Sequence, residues 1–258
     1  MPIKKRYIIL LAVGSYLLFT LSMVPASKVL GLANSISPLP VKIYGVSGNL
    51  WDGRAQQLMA PGQPTVDNLH WSINPLEIFL ARLSTNFSAS IKNQNITGKL
   101  SVNALGQLRG SDIRARIDGA VMQQLLRLPL GELGGVFNFN VHSLELNQTA
   151  LPMLDASLSW KNASLTLIDT VNLGHIDLQV SPEDDGRLLA NISNEQGDLQ
   201  LTGDASVDAG RNYNVNLRMM PQPTTASNIT QSLGMFARRQ ADSSYLLNRK
   251  GNLREFGF

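Results

Sequence analysis

The chain has 258 residues, 43% hydrophobic and 16% charged, with 22 Lys and Arg against 19 Asp and Glu for a formal net charge of +3. It has no cysteine, which excludes a disulfide framework and a thiolate zinc site. Much of the positive charge sits at the N-terminal tip, and no arginine-rich groove follows, so nucleic acid is excluded as a partner. Arg238-Arg239 and Arg249-Lys250 read as isolated, solvated pairs.

The first predicted element begins after Lys4, Lys5 and Arg6, where residues Tyr7 to Ala26 carry no formal charge. A helix of about 20 residues spans a hydrocarbon core of about 30 Å, so residues 7–26 are expected to form a transmembrane signal-anchor. The cationic flank places residues 1–6 in the cytoplasm and sends residues 27–258 across the membrane. Val24-Pro25-Ala26 has the small residues of a signal-peptidase site. However, Pro25 lies within that site, and the apolar run exceeds the about 7–15 residues of a cleaved signal. A retained anchor is the expectation, and either outcome exports the body.

Beyond the anchor, apolar residues alternate with small polar ones. The period of two appears in 95–102, 137–141, 144–146, 175–180, 198–202 and 213–217, each predicting a strand with one apolar and one wet face. Asp184-Asp185-Gly186, Asp208-Ala209-Gly210 and Gly134-Gly135 are expected turns. The fold class is therefore mainly β, an antiparallel multi-stranded domain with a few short helices, preceded by one N-terminal transmembrane helix.

Three helices are expected to interrupt the strands. Asn74-Pro75-Leu76-Glu77 offers an N-cap, proline at N1 and an acid at N3, leading a helix to about Leu83. Ala120 to Leu128 places Val121, Leu125 and Leu128 on one face before Pro129. Ser227 to Arg239 spaces Ile229, Leu233 and Phe236 at helical intervals.

The usual catalytic signatures are absent. His70, His142 and His175 lack metal-ligand spacing, and Gly45-Val46-Ser47-Gly48 is followed by Asn49, which breaks the nucleophile-elbow pattern. No enzyme, cofactor or metal is expected. Attention falls instead on Trp51 and Asp52, within Gly45 to Gly53, and on Trp71, Asn74 and Pro75. Two of the three tryptophans lie in this window. Indole buries a large area and needs a partner for its N–H, so a core cluster is expected, with an interaction surface as the alternative.

The pattern Val46-Ser-Gly-x-Leu-Trp-Asp-Gly53, then Leu69-x-Trp71 with Asn74-Pro75, resembles the type II secretion system protein N family. Trp160-x-x-Ala163, Gly197-x-Leu199-x-Leu201-x-Gly203 and Tyr245-x-Leu247-x-x-x-x-Gly251-x-Leu253 extend the resemblance along the chain. Asn49 departs from the Ser or Thr expected there. The resemblance implies a single-pass inner-membrane protein of Gram-negative bacteria with its β domain in the periplasm. Its implied role is a non-enzymatic accessory one, assisting export of folded proteins across the outer membrane with other secretion subunits. The competing expectation is an anchored periplasmic lipid-handling β-groove, distinguished by an apolar sheet face left open.

Overall fold

The computed structural model describes residues 24–36, 40–62, 64–75, 77, 81–126, 131–146, 151–166, 169–223, 225 and 227–256. Lys4, Lys5, Arg6 and residues 7–23 of the expected anchor lie outside them. At the expected end of the anchor, Pro25 makes an isolated antiparallel bridge with Asn49, and helix α1 (Ala26–Ile36) starts at the next residue. Among the described residues no helix is long and apolar enough to cross a membrane. The chain divides into two compact units, Met1–Asn93 and Gln94–Phe258.

In the first unit β3 (Asp52–Met59), β4 (Val66–Ile73) and β5 (Arg82–Ile91) form an antiparallel meander. The outer edge of β3 pairs with β1 (Lys42–Tyr44) and then β2 (Ser47–Gly48). Of the helix expected from Asn74 to Leu83, Leu76 and residues 78–80 lie outside the described residues, and its far end is strand. Pro75 and Glu77 take 3-10 conformation, and β5 begins at Arg82, so Leu83 is a strand residue. Ala81 has a φ of 53°, a left-handed conformation that no continuing helix allows.

The second unit runs in sequence order through β6 (Gln94–Asn103), β7 (Leu108–Asp118), β8 (Glu132–Leu146), β9 (Met153–Thr166), β10 (Thr170–Pro182), β11 (Leu188–Glu195), β12 (Leu199–Val207) and β13 (Asn212–Pro221). The order then departs from sequence: β15 (Tyr245–Asn252) pairs with β13, and the short β14 (Arg238–Arg239) lies outside it. Helix α2 (Gly119–Leu126) joins β7 to β8, and α3 (Ser227–Phe236) precedes β14. The third helix stops short of the expected Arg239, because Arg238 and Arg239 pair with Leu246 and Tyr245.

Segments 137–141 and 144–146 belong to one strand, β8, which also absorbs Gly134-Gly135. The expected turn there is a bulge: the register with β9 shifts between Gly134 and Val136, and Gly135 has a φ of 82°. Left-handed residues continue across the neighbouring strands at Asn162 of β9 and Gly174 of β10, and Gln196 follows β11. Such bulges add local twist, which lets strands of 13 to 15 residues stay paired.

Alternation along each strand puts the apolar residues of the second unit on one face. Ile117, Phe137, Trp160 and Ile176 stand opposite one another across four strands. The Phe137 and Trp160 rings stack with centroids 4.5 Å apart, and Trp160 Nε1 donates to the Gly134 carbonyl at 2.7 Å. Met122 of α2 covers Ile117 and Phe137, while Leu233 of α3 covers Leu199, Leu201, Met219 and Tyr245. Both helices cap the same end of the face. A second row, Ile113-Val141-Ala156-Val180-Ala190-Ala205-Val215, crosses seven strands. Its members are only half-buried and belong to neither core cluster.

Three aspartates organise the exposed ends. Asp208 accepts from Asn212 through its side chain and backbone N–H, which holds its carboxyl below the ordinary value. At Asp185 the backbone N–H of Arg187 has the largest lowering effect, and at Asp242 the hydroxyl of Ser244 does.

Candidate interaction site around the tryptophan motifs

The site is built at one end of the β3–β4 pair. Asn49 makes its turn: its Oδ1 accepts from the backbone N–H of Trp51 at 2.9 Å and of Asp52 at 2.7 Å, while its own N–H reaches the Asp52 carbonyl at 2.9 Å. A serine or threonine oxygen, as the resemblance leads one to expect here, could accept in the same way. Gly48 has a φ of 82°, and a side chain there would run into the Asp52 carbonyl. Gly53 serves a different end. A Cβ on it would collide with the six-membered ring of Trp71, so the indole lies flat across the neighbouring strand only because Gly53 is bare.

Trp71 Nε1 donates to the Leu50 carbonyl at 3.0 Å, and the Ile73 N–H bonds the Trp51 carbonyl at 2.6 Å. The structure thus gathers Trp51, Asp52 and Trp71, with Asn74 and Pro75 continuing from the same end of β4. Asn74 N–H bonds the Ser84 carbonyl at 3.2 Å and its carbonyl receives the Glu77 N–H at 3.3 Å, so Asn74-Pro75 makes a strand-to-strand corner. Arg82 closes that corner on Glu77 at 3.0 Å. Trp71 is half-buried with its indole N–H satisfied. Trp51 is different: its Nε1 is buried without a hydrogen-bond partner among the described residues.

Sequence reasoning missed the partner of Asp52. His70 Nε2 lies 3.2 Å from Asp52 Oδ1, because His70 and Asp52 occupy neighbouring strands two registers apart. Strand pairing, not spacing along the chain, creates this contact. Beside it is an open cleft of about 730 Å³ lined by Ser47, Arg54, Gln56, Asn68 and His70. Its polar lining comprises a guanidinium, an imidazole, a hydroxyl and amides. His142 and His175 sit on strands 3.6 Å from Asp155 and 3.4 Å from Asp177, and no metal-holding group of acids and histidines occurs among the described residues.

These observations define the class first: an antiparallel meander β protein whose motif residues form a glycine-seated tryptophan corner. Residues 40–248 match the family model for type II secretion system (T2SS), protein N. The chain belongs to that family, and so is a component of a protein-secretion machinery of the cell envelope that works with other components of the system. A protein of Aeromonas hydrophila named type II secretion system protein N is 24% identical over 259 residues, covering 97% of this chain and 99% of that one. No solved structure matches the chain.

Proposed function

We propose that the protein is a non-enzymatic accessory subunit of type II secretion, held at the inner membrane by residues 7–26 with its β units in the periplasm. The match over residues 40–248 carries this reading. The charge-free run behind Lys4, Lys5 and Arg6 supports the topology. An anchor raises the effective concentration of the β units near other membrane-bound subunits, which suits docking. Trp51, Asp52, Trp71, Asn74 and Pro75 form the corner that such docking would use or depend on. Deletion of the gene should lower exoprotein release; unchanged release with an intact inner-membrane platform overturns the proposal. A periplasm-active reporter enzyme fused after Phe258 should be active, and activity confined to a cytosol-active reporter overturns the topology.

The half-buried row from Ile113 to Val215 favours a second reading, lipid handling on the open apolar face. Photoreactive groups at Val141 and Ala190 should then form adducts with phospholipid acyl chains in membranes. Their absence removes this reading.

A further inference from the structure

Among the described residues, the last long strand of the second unit has an edge that no other strand fills beyond its first two positions. Strand β15 pairs with β13 along its whole length, from Tyr245 opposite Met219 to Asn252 opposite Asn212. On its other side β14 covers only Tyr245 and Leu246. The register fixes which groups face outward. Leu253 N–H bonds the Arg211 carbonyl, so odd-numbered positions of β15 point their backbone polar groups at β13. Gln240 N–H bonds the Ser244 carbonyl on the opposite side, so even-numbered positions point away. Beyond β14, the N–H and carbonyl groups of Asn248 and Lys250 and the N–H of Asn252 therefore line the edge. They have no backbone partner among the described residues, and Asn248, Arg249 and Lys250 are exposed.

Charge decides what this edge accepts. From Arg238 to Arg254 the chain carries Arg238, Arg239, Arg249, Lys250 and Arg254 against Asp242 alone. That acid is already occupied by Arg218 and by the Ser244 hydroxyl at 2.6 Å. None of the five cations has an ion pair among the described residues. Edge-to-edge pairing with a second copy would set Arg249 and Lys250 against the same cations, and like charges directly opposite in a sheet repel. Cations on an edge also guard against indiscriminate pairing. An acidic extended strand meets neither obstacle and gains both the ladder and the charge pairs.

We propose that the edge of β15 from Asn248 to Asn252 is a β-addition site for an extended, acidic segment of a protein partner. It deepens the docking role proposed above, but its test needs no secretion machinery, so failure of either is seen separately. The probe is a fluorescent eight-residue peptide alternating valine and glutamate, with a valine–lysine peptide as control, added to the purified full chain. The acidic peptide should bind, the basic one should not, and amide exchange at Asn248 and Lys250 should slow when it binds. Lys250→Pro deletes one outward N–H and no existing ladder bond, and should weaken binding at least about tenfold. The double change Arg249→Glu with Lys250→Glu leaves the backbone intact and should transfer preference to the basic peptide, which decides the matter if the proline variant misfolds. No binding of the acidic peptide overturns the proposal. So does binding indifferent to both variants, since that would be attraction to a charged surface and not strand addition.

Discussion

Gly135 has a φ of 82°, and an added Cβ would fall on the carbonyl oxygens of Lys161 and Asn162. Gly135→Ala should therefore destabilise the protein by about 2 kcal/mol or more, read as a lowered midpoint in urea. The two motif tryptophans should separate in a similar measurement. Trp71→Phe strands the Leu50 carbonyl and empties space over Gly53, whereas Trp51→Phe removes an N–H that has no partner among the described residues. A buried donor without a bond costs about 1–3 kcal/mol, so Trp51→Phe should be the milder change by at least about 1 kcal/mol. Equal losses would show that the Trp51 indole N–H is satisfied in solution.

At the scale of single elements, α3 stabilises mainly through Leu233, which packs onto Leu199, Leu201, Met219 and Tyr245. Leu233→Ala should cost about 2–4 kcal/mol, because β12, β13 and β15 cannot close over the gap. The β12–β13 hairpin depends on Asp208, whose carboxyl is held below its ordinary value first by the Asn212 side chain. A lowered folded-state pKa contributes stability above the unfolded value and loses it as pH falls through the folded one. The hairpin should thus loosen below about pH 4, and Asp208→Asn should flatten that part of the stability curve. Thermal melts between pH 3 and 7 would show it. The strands were legible because alternation is a local property: 95–102 and 213–217 lie inside β6 and β13. Asn74-Pro75-Leu76-Glu77 did not show where its helix would stop: Arg82 and Leu83 are strand, and the Asn74–Ser84 bond that ties this corner to β5 lies beyond the reach of local sequence. The Asp52–His70 contact was invisible for a related reason, since it exists only once β3 and β4 are in register.

At the scale of the second unit, the helices shield one end of the apolar face and leave Val141, Ala156, Val180 and Ala190 half-buried. The folded protein should brighten an apolar-surface dye without denaturant. Val141→Lys with Ala190→Lys should dim that signal while the melting temperature changes little; a large fall in melting temperature would mean that the row is covered in solution. Strand order has a separate consequence. From β6 to β13 each strand hydrogen-bonds its neighbours in sequence, with β14 and β15 alone exchanging places. Structure made of such local contacts forms quickly and without waiting for distant partners. Each hairpin can zip onto the last as soon as its second strand is available, and only the closing exchange of β14 and β15 must wait for β15.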